Sequence, residues 1–204
     1  VLAQAYFEQQ PRSFLYYGVT QILDPNPGVS FDYFTSAPQH PDYFRCEVLT
    51  SKNTFPYVEK TDDLSRSMFT YLIDESAGAT TENSVERLIG KIADSGASCI
   101  KLYFEDGYGN ANQWATLSTN TLKRIKQAAK KSNLLIVAHA NALDMQQLAL
   151  LAGVDVIAHG MWNWGQYNRE QNIPKEISNT LNKMINDLDE SIKKPLFGSA
   201  KNDD

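Results

Sequence analysis

Long apolar runs, cysteines and an excess of positive charge are all scarce in this sequence, and each shortage removes a class of function. No uninterrupted hydrophobic stretch approaches the roughly 20 residues needed to cross a bilayer, so no membrane partner is expected. Nineteen Lys and Arg face 24 Asp and Glu, giving a formal charge of −5 and a pI near 5.2. Such a surface repels a phosphate backbone, and the one dense basic stretch, residues 123–131, has the spacing of the wet face of a helix. No nucleic-acid partner is expected. The two cysteines, Cys46 and Cys99, form no CxxC pair and are too few and too far apart for a disulfide framework, so they read as buried thiols. The chain opens on Val1 without a basic segment ahead of an apolar one, so a targeting segment is expected to have been removed or never included, and the compartment stays open. A hydrophobic fraction of 42% and a charged fraction of 21% describe an ordinary globular protein. With 204 residues there is room for one domain with a real core, or a tight pair of small ones, but a full eight-unit barrel takes about 250.

From residue 82 onward, helix-period segments alternate with β-branched runs, the pattern of parallel βαβ units. The spacing of Val85, Leu88, Ile89 and Ile92 predicts a helix over residues 82–95, ended by Gly96, with a strand over 98–104. A Gly- and Asn-rich loop follows at 106–112. Leu122, Ile125, Ala128 and Ala129 then mark one side of a helix over 118–131, with lysines opposite. Residues 134–139 read as the next strand, Asn141 as the cap of a helix running to Leu151 and ended by Gly153, and 154–159 as a third strand. The N-terminal part predicts a helix over 2–17 interrupted at Pro11, a buried strand from Gly18 stopping at Asp24-Pro25, a long loop rich in proline over 26–41, and a strand over 43–50. Beyond Trp164, residues from Ile177 to Ile192 sketch an amphipathic helix before a frayed tail. Residues 1–165 thus form one partial (β/α) barrel domain, and 166–204 a C-terminal helical segment.

Three polar residues stand at equivalent places in these repeats. Lys101 lies in Cys99-Ile100-Lys101-Leu102-Tyr103, His139 ends Leu135-Ile136-Val137-Ala138-His139, and His159 ends Val156-Ile157-Ala158-His159. The C-terminal end of a barrel strand is where active sites are built. Alternation along the strand turns Cys99, Lys101 and Tyr103 to one side. A lysine there needs a partner to remain charged, and neighbouring imidazoles have nitrogens to offer a metal. A lone strand-end His is more often structural and a lone Lys more often snorkels to water. Two of only three histidines recurring in consecutive repeats shifts the balance toward a shared site. His40, in the proline-rich loop, reads as exposed.

The stretches Gly96-Ala97-Ser98-Cys99-Ile100-Lys101, Ile136-Val137-Ala138-His139-Ala140 and Ala152-Gly153-Val154-Asp155-Val156-Ile157-Ala158-His159-Gly160 resemble strands four, five and six of the amidohydrolase superfamily, above all its imidazolonepropionase-like and prolidase-like branch. Gly18-Val19-Thr20 resembles the entry to its second strand. The resemblance implies an α/β fold, a TIM-like (β/α) barrel reduced to about strands 2 to 6. It further implies Lys101, carbamylated, as a ligand bridging two zinc ions, and His139 and His159 as ligands of the second. Carbamylation turns an unwanted ammonium into an anionic oxygen donor suited to zinc. The implied activity is hydrolysis of amide-like C–N bonds in a small-molecule substrate, a cyclic amide or dipeptide, with Tyr103 placed to contact it. Trp162 and Trp164 read as loop packing.

Part of the family's pattern is missing. No His-x-His pair is found, and no aspartate stands at the end of a late buried strand, since Asp187 and Asp189 fall on the amphipathic segment. The sequence therefore reads as a fragment or truncated member, with no catalytic proton-transfer residue identified, and open strand edges that favour a homo-oligomer or a missing companion segment. Two other readings stay open. One is a Schiff-base, aldolase-like enzyme using Lys101 as nucleophile. The other is a non-catalytic remnant barrel that acts through association.

Overall fold

Apolar residues at helical spacing alternate with short runs that can be buried on both faces, and this alternation builds a sheet with helices against one side. The computed structural model describes residues 2–25, 34–107 and 114–160. Strands β1 (Gln21–Asp24), β2 (Asp42–Ser51), β3 (Tyr71–Ile73), β4 (Cys99–Phe104), β5 (Leu135–Ala140) and β6 (Val156–Ile157) form one curled six-stranded sheet in the order β1-β2-β4-β5-β6. Every pairing is parallel. Strand β3 lies off this path, pairing only with the end of β2 at Leu49–Ser51, so the earlier part of β2 meets β4 directly. Parallel neighbours need crossovers: α2 (Asp63–Ser67) lies between β2 and β3, α3 (Val85–Asp94) between β3 and β4, α4 (Thr119–Lys131) between β4 and β5, and α5 (Leu143–Leu151) between β5 and β6, while α1 (Leu2–Tyr16) precedes β1.

The main core lies between one face of the sheet and helices α3, α4 and α5. Leu49, Ile100, Leu102, Phe104, Ile136, Ala138 and Ala140 pack there against Leu88, Ile89 and Ile92 of α3 and Leu122, Ile125 and Ala129 of α4. Both helices start on a serine whose hydroxyl accepts from the third residue on, Ser84 from the Arg87 N–H and Ser118 from the Thr121 N–H. Arg124 of α4 clamps Glu86 of α3 at 2.9 and 2.6 Å. Gly96 and Gly153 end α3 and α5 with φ of +76° and +77°, as read from the sequence.

Several expectations need correcting. Cys46 and Cys99 are not thiols: they are register partners on β2 and β4, completely buried, and joined as a disulfide with Cα atoms 4.3 Å apart. Distance in sequence hid this, because the crossover brings residues 53 apart onto adjacent strands. Helix α1 runs through Pro11 without interruption, since proline's fixed φ suits a helix and only a backbone bond is forfeited. Strand β1 has a single neighbour among the described residues and leaves Gln21 and Leu23 exposed, so it is not a buried strand. His40 is half-buried, its ring edge-on to Phe34. Asn141 does not cap α5, whose N-cap is Ala142, with no side-chain cap bond. The sheet describes a half-barrel, and the segments read as a C-terminal helix, with Trp162, Trp164, Asp187 and Asp189, lie outside the described residues.

Candidate active site

The face of the sheet turned away from the helices carries a short column of small and sulfur-bearing side chains, with polar groups above it. Cys46, Cys99 and Val137 form the floor, with Ala158 against them. Two residues beyond Cys99 on the same face, Lys101 is 3% exposed, opposite Val137 on one side and Val48 on the other. Burial holds its amine well below the usual lysine range, down to about 8. Its Nζ lies 5.6 Å from the ring centroid of Tyr103, and among the described residues it has no hydrogen-bonding or ionic partner. Tyr103 pairs in register with His139, their rings 5.2 Å apart, and burial pushes its phenol upward.

His139 is two residues up β5 from Val137, and His159 follows two residues after the short β6. The structure brings them together: His139 Nδ1 and His159 Nε2 are 2.8 Å apart. His159 is held below its ordinary pKa by burial first, then by the charges of His139 and Lys101. The three residues singled out in the sequence thus fall on consecutive parallel units, Lys101 midway along β4, His139 near the end of β5 and His159 two residues past β6. Among the described residues, no group of three or more His, Cys, Asp and Glu is spaced to hold a metal ion.

Two features escaped sequence reading. Glu105, 6% exposed, stands four residues after Lys101 and directly follows β4, where continued alternation would have found it. Its carboxylate accepts from the Gly107 N–H at 3.2 Å and from Asn141 Nδ2 at 3.3 Å. The other feature is a stack of rings over His139. Phe55 lies near-parallel to Trp114 at 5.0 Å and to His139 at 5.7 Å, with Tyr103 edge-on. The loop carrying Phe55 is braced by the Thr54 hydroxyl, bonded to Thr50 Oγ1 at 2.8 Å and to the Ser51 N–H at 3.1 Å. A parallel bridge from Thr54 to Ala115 ties it to the loop of Trp114. Nothing in the composition of residues 52–55 signals that placement.

No family model matches the sequence, and no curated protein matches it. Solved structures do. The chain superposes on A. niger ochratoxinase with a TM-score of 0.52 at 16% identity, covering 74% of this chain and 39% of that one. A Xaa-Pro dipeptidase with bound methionine gives 0.49 at 16% identity, covering 76% and 39%. A structure described as an amidohydrolase gives 0.49 at 16%, covering 71% and 38%. This chain therefore spans about two fifths of the length of the structures it resembles. The parallel half-barrel that carries Lys101, His139 and His159 thus shares its fold with part of A. niger ochratoxinase.

Proposed function

We propose that this chain is part of a metal-dependent hydrolase of amide-like C–N bonds, with Lys101, His139 and His159 as its share of a zinc site. The observation that carries the reading is the approach of His139 Nδ1 to His159 Nε2, 2.8 Å apart on the face that buries Lys101. Two neighbouring imidazole nitrogens, on the face that buries an amine able to become an anionic oxygen donor, are donor types suited to zinc. When bound, such an ion lowers the pKa of a water toward 7 and polarises the scissile carbonyl.

The chain's own residues account for the rest. With a pKa of about 8, roughly a tenth of Lys101 is unprotonated at neutral pH, so its lone pair can attack carbon dioxide. An N–C bond forms, the nitrogen releases a proton, and the buried cation is replaced by a carbamate. His159, disfavoured as imidazolium, keeps its nitrogen lone pair available. Tyr103, between Lys101 and His139, is placed to touch the substrate. Strands β1 and β6 each have one neighbour among the described residues, with Leu23 and Val156 exposed, so the remaining ligands are proposed to come from a companion segment or a second copy.

The test is elemental analysis of protein purified without chelator, paired with an intact mass that looks for an added ~44 Da on lysine. Close to two zinc per chain with a modified Lys101 supports the reading and calls for assays on N-acyl amino acids and dipeptides. An unmodified lysine and no zinc uptake at micromolar metal would sink it. The solitary burial of Lys101 also favours a Schiff-base reading. Borohydride trapping with a carbonyl substrate separates the two, since only a Schiff base leaves a reduced adduct on Lys101.

A further inference from the structure

We infer that Glu105 is a positioning residue that sets the tautomer of His139, acting through the side-chain amide of Asn141. Glu105 and His139 do not hydrogen-bond directly, because Oε2 and Nε2 are 3.7 Å apart. Asn141 bridges them: its Nδ2 lies 3.3 Å from Glu105 Oε2 and 3.1 Å from His139 Nε2. An amide can be turned either way, and its orientation is normally inferred from its neighbours. Here the neighbour decides. A carboxylate only accepts, so the Asn141 atom beside it is the NH2 group, and that same group faces His139 Nε2.

An NH2 group only donates, so His139 Nε2 must accept and the ring proton sits on Nδ1. That proton points at His159 Nε2, 2.8 Å away. The two histidines are therefore held together by an Nδ1–H bond whose direction is set from Glu105 through Asn141. The clamp is itself anchored, since Glu105 Oε1 accepts from the Gly107 N–H and Asn141 directly follows β5. It is also well placed to matter, because groups behind a ligating imidazole commonly change metal affinity by about 10- to 100-fold. Only this last step rests on the hydrolase reading. The tautomer does not.

The experiment records the histidine nitrogen shifts of metal-free protein at pH 8 by long-range proton–nitrogen NMR, with His40→Gln and His159→Gln variants to assign the rings. Wild type is expected to show His139 protonated at Nδ1. Glu105→Gln, which frees the amide to turn, and Asn141→Ala, which removes it, are each expected to move His139 toward Nε2–H. Zinc affinity, read by competition with a chromophoric chelator, should fall tenfold or more in both. If Glu105→Gln fails to fold, Asn141→Ala decides alone. Wild-type nitrogen shifts retained in the folded variants, or Nε2–H already in wild type, overturn the proposal even if zinc binds tightly. Absence of zinc binding in wild type defeats the hydrolase reading and leaves the nitrogen shifts to judge the clamp.

Discussion

Lys101→Met should stabilise the metal-free protein, an unusual sign for a substitution at a candidate site. Lys101 is 3% exposed, and its burial lowers the amine from the ordinary 10.5 to about 8. At ~1.4 kcal/mol per pH decade, keeping the ammonium in place costs the folded chain about 3 kcal/mol at neutral pH. Methionine fills a similar unbranched volume without a charge. The sign follows from proton binding. Between pH 8 and 10.5 the unfolded chain binds more protons than the folded one, so wild-type stability rises with pH across that window and the burden is full below it. Thermal unfolding in chelator-treated, carbonate-free buffer should therefore place Lys101→Met above wild type by roughly 6–12 °C at pH 7, taking about 2–4 °C per kcal/mol. The gap should close toward pH 10.5. With zinc and bicarbonate present the order should reverse, because wild type gains a carbamate and its ligands. A variant less stable than wild type at pH 7 without metal, or a gap unchanged at pH 10.5, would refute the reasoning.

Replacing both cysteines by alanine should cost about 4 kcal/mol by the loop-entropy estimate for a closed loop of 53 residues, read as a lower urea midpoint. Gly96→Ala forces a side chain into φ +76° and should cost about 1 kcal/mol despite the open space around it, seen as a lower melting temperature. Arg124→Ala breaks the twin contact to Glu86 between α3 and α4, and a loss of about 1 kcal/mol that shrinks in high salt is expected. Because His159 is held below the ordinary imidazole range, acidification through that range penalises the folded state, so His159→Gln should flatten the fall in stability between neutral pH and pH 5.

The regular half of the chain was legible because one physical demand governs it. A strand covered on both faces must be apolar, so a polar residue such as Lys101 or His139 stands out against it. The helices around Val85–Ile92 and Leu122–Ala129 carried their own periodicity and caps. Elements decided by pairing were harder. The three-residue β3 exists because the end of β2 offers it an edge, and nothing in Tyr71–Ile73 alone declares a strand. The disulfide and the Phe55 stack depend on which strands become neighbours, a tertiary fact. Asn141 shows the same limit at one residue: its position suits a helix cap, yet the buried Glu105 carboxylate competes for its amide and wins.

The bond between Cys46 and Cys99 also changes what a protease can do to this molecule. It encloses β3, α2 and α3, and within that circuit residues 78–83 are exposed without a break. A cut there is the expected site of limited digestion, and it would leave two peptides still linked as a single covalent body. On a gel run without reductant the nicked chain should migrate as one species, and only after reduction should it divide into two pieces.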